Sequence, residues 1–281
     1  MDPDSGALQA ASQIFKSTCI IVSFTACQNY KTETATALTP ISPFFKDSIV
    51  QTIKKTPSEK KKKTIYLTFD DGPNKGTQKV MHIIDQEQVM VSAFVVGEHV
   101  YDSWEQTKVF DSLMANRFYE IANHSFTHAH NKYEKFYSMP QSVVKDFIRC
   151  ADSLHLTTKI VRTPGRNIWR MKNIASTDVW KSKPAADSVQ AKGFIEVGWD
   201  LEWRFDNELK LKNTSDEMVQ QVDNMFTYAK TRIPNHLIIL AHDQVYADAT
   251  DSVELQQFIQ KLKATNKYEF EKISNYPGIK N

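Results

Sequence analysis

Two adjacent carboxylates, Asp70 and Asp71, end the run Ile65-Tyr66-Leu67-Thr68-Phe69 and are followed at once by Gly72-Pro73. Neighbouring carboxylates repel each other unless a cation or a shared proton relieves them, so this pair needs partners from elsewhere in the chain. His124 and His128, four apart in Asn123-His124-Ser125-Phe126-Thr127-His128, are the first candidates. On one helical turn that spacing puts both imidazoles on the same face, near enough to share one ion. Such a pair by itself is more often two surface histidines; joined to a strand-terminal Asp-Asp pair it points to metal chemistry. Two neutral imidazoles and one carboxylate give a divalent ion three protein ligands and leave positions for water and substrate, as hydrolytic sites require. His130 reads as solvated.

Such groups must be held by strands and helices that bring distant segments together. Ile65, Leu67 and Phe69 alternate with Tyr66 and Thr68, which is strand periodicity, and Gly-Pro stops the strand just after the acids. Beyond it, strand and helix patterns alternate, which favours an α/β fold on a mostly parallel sheet. Thr77 is the expected cap of a helix carrying Val80, Ile83 and Ile84, and Val89 to Val96 reads as a buried strand. Pro140 opens an amphipathic helix whose stripe is Val143, Val144, Phe147, Ile148, Ala151 and Leu154. Strands follow at Lys159-Ile160-Val161 and Phe194-Ile195-Glu196-Val197, separated by an irregular basic and aromatic stretch through Trp180. Thr214 with Glu217 forms a capping box, and Leu237-Ile238-Ile239-Leu240-Ala241 is a second strongly apolar strand ending at His242-Asp243. A last helix and the strand Tyr268-Glu269-Phe270 close the domain. The polar clusters fall just after strands, where active sites form in barrels and open α/β sheets.

The 281 residues suffice for a large core, and the formal charge of +2 with no glycine-rich phosphate loop argues against nucleic acid as a partner. Three cysteines, Cys19, Cys27 and Cys150, supply neither a disulfide framework nor a cysteine zinc site. Residues 1–27 read as an export signal of lipoprotein type, with a short apolar segment and small residues before Cys27, although Asp2 and Asp4 stand where positive charge is expected. Residues 28–63, rich in Thr, Ser, Pro and Lys, read as a flexible tether, leaving 64–281 as the catalytic domain. The expected location is the cell envelope, periplasm or exterior, with a lipid anchor at Cys27.

The stretches Thr68-Phe69-Asp70-Asp71-Gly72-Pro73 and His124-Ser125-Phe126-Thr127-His128, with Ser92-Ala93-Phe94-Val95-Val96-Gly97 between them, resemble the motifs of the polysaccharide deacetylases, the NodB-type carbohydrate esterases. The resemblance spans residues from about 64 to 273 and implies a single distorted (β/α) barrel with fewer or irregular strands. It implies that Asp71, His124 and His128 hold a divalent metal, usually zinc, with cobalt or nickel as alternatives, while Asp70 stays free as general base. Arg162, in Val161-Arg162-Thr163-Pro164-Gly165-Arg166, corresponds to the arginine that pairs with the base, and His242 to the residue that protonates the departing sugar atom, with Leu240 lining the acetyl pocket. Relatives usually carry an aromatic residue directly after the proline; here Gly165 follows Pro164, so its backbone N–H is the expected oxyanion donor and Trp169 the candidate replacement for the missing wall. In Trp199-Asp200-Leu201-Glu202-Trp203 the family spacing is not reproduced: Glu202 or Asp200 is expected to orient His242 and Trp203 to stack on a sugar, the alternative being a core tryptophan with the acids on the rim. The implied activity is metal-dependent removal of acetyl groups from peptidoglycan, chitin-like or poly-N-acetylglucosamine chains, or acetyl-xylan. A catalytically silent glycan-binding envelope protein is the other reading; silent relatives typically lose the base, a ligand or the acid, and all of these are present here.

Overall fold

The structure, a computed structural model, describes residues 62–279. The expected export signal, Cys27 and the tether up to residue 61 lie outside the described residues. Ten strands form one sheet: β1 (Lys63–Gly72), β2 (Val91–Val95), β3 (Tyr119–Asn123), β4 (Ile160–Val161), β5 (Ile168–Met171), β6 (Ile174–Thr177), β7 (Ile195–Glu196), β8 (Leu201–Glu202), β9 (His236–His242) and β10 (Tyr268–Phe270). The α-helices are α1 (Thr77–Glu87), α2 (Gly97–Tyr101), α3 (Trp104–Ala115), α4 (Tyr133–Tyr137), α5 (Pro140–Ser153), α6 (Lys183–Ala191), α7 (Ser215–Thr227) and α8 (Ala249–Ala264). The strand order is β6-β5-β7-β4-β3-β2-β1-β9-β8, and β10 pairs with the first residues of β1. Pairing is parallel from β7 through β8 and antiparallel where β5 joins β7 and β6. Among the described residues no pairing joins the end strands β6 and β8, so the expected distorted barrel is a curled half-barrel.

The two faces of β1 explain its sequence. Ile65, Leu67 and Phe69 pack with Val80, Ile84, Leu255, Phe258 and Leu262 under the helices, while Tyr66 joins Phe94, Trp169, Ile238 and Tyr276 inside the curl. A strand covered on both faces must be apolar at nearly every position until it reaches a site. On the inner face the series Tyr66, Thr68, Asp70 runs from apolar to charged, because the lower part of the curl is packed and the upper part holds the polar groups. The capping box forms as expected: Thr214 Oγ1 accepts from Glu217 N–H at 3.3 Å, and Glu217 Oε2 accepts from Thr214 N–H at 3.0 Å.

Three expectations are corrected. Gly76, not Thr77, occupies the cap position of α1, and the Thr77 hydroxyl donates to the Asp243 carboxylate instead. The stretch expected to be irregular through Trp180 contains the β5–β6 hairpin. Its basic character misled because Arg170 is buried within the hairpin, donating to the carbonyls of Trp169 and Ser176 and to Asp187 on α6 at 2.8 to 3.0 Å. Trp169 is no groove wall: it is buried against Tyr276, with Nε1–H donating to Asn167.

On β7, Glu196 is fully buried and neither carboxyl oxygen has a hydrogen-bond partner among the described residues. Burial pushes its pKa up from 4.5 to about 8, with Arg170 opposing weakly. The folded state therefore holds a proton that the unfolded chain releases, so this contribution is complete below pH 4.5 and is lost as pH rises through 8. Chemical denaturation across that window is expected to show wild-type stability falling by on the order of 1 kcal/mol per pH unit. In Glu196→Gln the fall should be shallower; equal slopes would contradict a neutral buried Glu196.

Candidate active site

Strands β1, β3, β4 and β9 deliver the main parts of the site at their C-terminal ends. The ends are kept in step by main-chain bonds that continue the ladder: Val96 N–H to Gly72, His124 N–H to Val95 and Arg162 N–H to Asn123, at 2.9 to 3.0 Å. Consecutive strand residues normally point to opposite faces. Asp70 and Asp71 escape this rule because Asp71 has φ 71° and the β1–β2 register shifts between Asp70 and Gly72. Aspartate tolerates this left-handed geometry better than most residues, and the kink is held by the His99 ring, whose Nδ1–H donates to the Asp71 carbonyl at 2.7 Å. Both carboxylates thus enter one cavity of about 420 Å³, lined also by His124, His128, Tyr133, Gly165, Trp199, Glu202, Phe205, Leu240 and His242.

The two acids face different partners. Asp70 Oδ1 accepts from Arg162 Nη1 at 2.8 Å, and its Oδ2 lies 3.6 Å from His124 Nε2. Asp71 Oδ1 lies 3.4 Å from His124 Nε2 and 3.1 Å from His128 Nε2, and its Oδ2 is 4.0 Å from His242 Nε2. His124 Nδ1–H donates to the Arg162 carbonyl at 2.9 Å, which fixes the tautomer and turns the Nε2 lone pair toward Asp71. A lone pair then confronts a buried carboxylate oxygen that has no hydrogen-bond donor, an arrangement relieved only by a proton or a cation between them. The chemistry of the donor set fits a divalent metal, and the three ligand atoms lie within 4.8 Å of one another.

Electrostatics agree with this reading. Burial opposes ionisation of Asp71, but His124 and His128 beside it win and hold the carboxyl well below its usual range. For His124 burial favours the neutral ring, yet Asp70 and Asp71 outweigh it and raise its pKa. Behind the turn, Asp243 accepts from Asn74 and Thr77, and burial, with the charges of Asp71 and Asp70, pushes its pKa up to about 7. Its carboxylate fills the space beside Gly72, where a Cβ would lie 2.7 Å from Oδ2.

The histidine pair does not lie on a helical turn as its spacing suggested. His124 ends the β3 extension and His128 begins a short 3-10 turn at φ 48°, the chain between them folding back at Ser125, φ 69°. The ring centroids are nevertheless 5.1 Å apart. Arg162 lies beneath the cavity, fully buried on the Phe94 ring at 4.0 Å, donating to Asp70, Thr68, Val197 and Gly198. Gly165 borders the cavity, and its N–H uses no protein acceptor among the described residues. Pro164 does not border it; its carbonyl accepts from the buried Tyr137 hydroxyl at 2.7 Å.

In the stretch 199–203 the structure follows the core-tryptophan alternative for Trp203 and overturns the role expected of Asp200. Trp203 is a core residue, 1% exposed, packed on Phe258 with Nε1–H donating to Asn213, because β8 points it at the helices. Asp200 does not orient His242: it accepts from the main-chain N–H of Arg232 and Ile238 near the opposite end of β9, roughly 13 Å of strand away. Glu202 borders the cavity but pairs with Arg204 at 3.6 Å, and among the described residues His242 Nδ1 is buried without a partner. The His242 ring instead meets the edge of Phe205 at 5.1 Å. Tyr133, Trp199 and Phe205, like Asn131, Asp178 and Gln244, are cavity residues that the sequence did not mark as such; Trp199 lay in the flagged aromatic-acidic stretch, whereas Tyr133 and Phe205 carried no signal.

Comparison with known proteins supplies the context for this geometry. A family model described as polysaccharide deacetylase matches residues 57–168. A chitooligosaccharide deacetylase of Bradyrhizobium sp. is 37% identical over 187 residues, covering 64% of this chain and 71% of the relative. The peptidoglycan-N-acetylmuramic acid deacetylase PdaA of Bacillus subtilis is 25% identical, with 78% and 76% covered. Not every relative is matched so fully: the chain spans 58% of YheN of B. subtilis. Among solved structures, the catalytic domain of a peptidoglycan N-acetylglucosamine deacetylase from Eubacterium rectale shares the fold with TM-score 0.55 at 24% identity, covering 78% of this chain and 91% of that one. With the half-barrel, the strand-end carboxylates and histidines, and a relative of this identity and coverage in agreement, the chain belongs to the polysaccharide deacetylase family.

Proposed function

We propose that this protein is a metal-dependent deacetylase that hydrolyses acetyl groups on amino-sugar chains of the chitin or peptidoglycan type. The observation that carries the reading is the convergence of Asp71 Oδ1, His124 Nε2 and His128 Nε2 beside an Asp70 separately held by Arg162. The substrate class rests on the named activities of the Bradyrhizobium and B. subtilis relatives. A catalytically silent binding protein is disfavoured because base, ligands and acid are present and share one cavity.

Asp71, His124 and His128 would hold the ion, zinc in the first instance. When bound, it supplies a Lewis acid that acidifies water and polarises the acetyl carbonyl. Asp70 accepts the proton of the attacking water, and Arg162 keeps that carboxylate ionised and aimed through the 2.8 Å bond. The Gly165 N–H donates to the oxygen that gains charge as water adds to the carbonyl. His242, across the cavity, delivers a proton to the sugar nitrogen as the C–N bond breaks, releasing acetate and a free amine. Leu240 supports the acetyl methyl group from the cavity wall.

Export and lipidation at Cys27 complete the proposal and place the enzyme at the envelope, where such glycans are met. Its support is the apolar segment and small residues before Cys27. Cys27→Ser is expected to move the protein from the membrane to the soluble fraction; unchanged fractionation would refute the anchor.

Acetate release from N-acetylglucosamine oligomers, peptidoglycan and acetyl-xylan, with zinc, cobalt or nickel added, tests the activity. Chelation should lower release at least about 100-fold, with recovery on adding metal, whereas full activity in metal-free protein or in His124→Ala would overturn the site. Zinc affinity should weaken as pH falls, because protons compete for the His124 Nε2 whose pKa the two carboxylates raise. Zinc titration by calorimetry at several pH values checks this, and a pH-independent affinity would contradict it.

A further inference from the structure

We propose that Tyr133 is a substrate-positioning residue that forms the sugar-facing wall of the cavity beside Gly165. The inference rests on the glycan deacetylase reading. Tyr133 is the first residue of α4, half-buried, and borders the cavity together with Gly165 and Asn131. Its ring stands edge-on to His128, with centroids 5.9 Å apart and planes at 86°. The hydroxyl donates to Asn131 Oδ1 at 3.1 Å, and the Arg166 guanidinium lies 5.6 Å from the ring centroid. The ring is therefore oriented from three sides while part of its surface faces the cavity.

Gly165 shows that this position is built around the ring. A Cβ on Gly165 would come within 2.9 Å of the Cε1 and Cζ atoms of Tyr133, and φ +61° independently disfavours any other residue there. A side chain after Pro164 and the Tyr133 ring compete for the same volume. The chain takes its aromatic surface from α4 and leaves the β4 loop bare, which also keeps the Gly165 N–H open to the cavity. An aromatic face offers negative charge density to the weakly positive C–H edges of a sugar ring, so Tyr133 suits packing against a pyranose rather than bonding to the acetyl group. Trp199, bordering the same cavity, supplies a second aromatic surface for the chain.

The test uses the zinc-loaded full chain with the N-acetylglucosamine tetramer. Tyr133→Ala is expected to raise KM about five- to ten-fold with kcat within about two-fold, and Tyr133→Phe to keep the wild-type KM, since the ring and not the hydroxyl makes the contact. Zinc affinity is measured alongside and should be unchanged in both variants. An unchanged KM in Tyr133→Ala refutes the proposal, as does a fall in kcat with loss of zinc, which would make Tyr133 a support for His128. Calorimetric binding of the tetramer to wild-type protein separates the two levels: binding that Tyr133→Ala leaves intact removes only the role of Tyr133, whereas absence of binding and of acetate release in the wild type removes the glycan reading and this role with it.

Discussion

The left-handed backbone at Asp71 is the constraint on which the site depends. An uninterrupted β1 would send one of the two acids into the cavity and the other into the helix layer, where a bare carboxylate is intolerable. With φ 71° at Asp71 and the register shift beside it, both enter the same space from different directions. The surroundings enforce the kink: His99 binds the Asp71 carbonyl, and Asp243 fills the space where Gly72 has no side chain. The separation of roles between Asp70 and Asp71 is thus a property of the main chain before it is one of chemistry.

Arg162 is the second constraint, and it links the site to the sheet. A fully buried guanidinium is tolerable only when its donors are met, and here they reach Asp70, Thr68, Val197 and Gly198, drawing β1, β4 and the segment after β7 together. Thr68 passes the connection onward, its hydroxyl donating to the Ile239 carbonyl on β9 at 2.7 Å. The residue that aims the base therefore also braces the strands carrying His124 and His242. Loss of Asp70 charge would be felt in stability as well as in proton transfer, since it leaves a buried cation poorly matched.

Much of this was legible in the sequence because it is local. The alternation in β1, the Thr214–Glu217 cap and the apolar β9 are short-range patterns, and the Asp-Asp and His-His motifs mark strand ends whatever the tertiary detail. What escaped depends on distant contacts. The basic content of Arg170 concealed a strand because its charge is met by Asp187, seventeen residues away. Trp199 and Trp203 belong to one short segment, and only the curl of the sheet decides that the first borders the cavity while the second is buried. Tyr133 carried no pattern at all; its place follows from the bare main chain at Gly165 on another element.

The division of labour between the two adjacent carboxylates is tested most directly by titrating zinc into Asp70→Asn and Asp71→Asn side by side while measuring acetate release from the same N-acetylglucosamine oligomer. The account predicts that both variants lose turnover, that Asp70→Asn keeps zinc affinity close to wild type, and that Asp71→Asn loses it by at least about ten-fold. Equal loss of zinc in both variants, or zinc loss in Asp70→Asn alone, would contradict it.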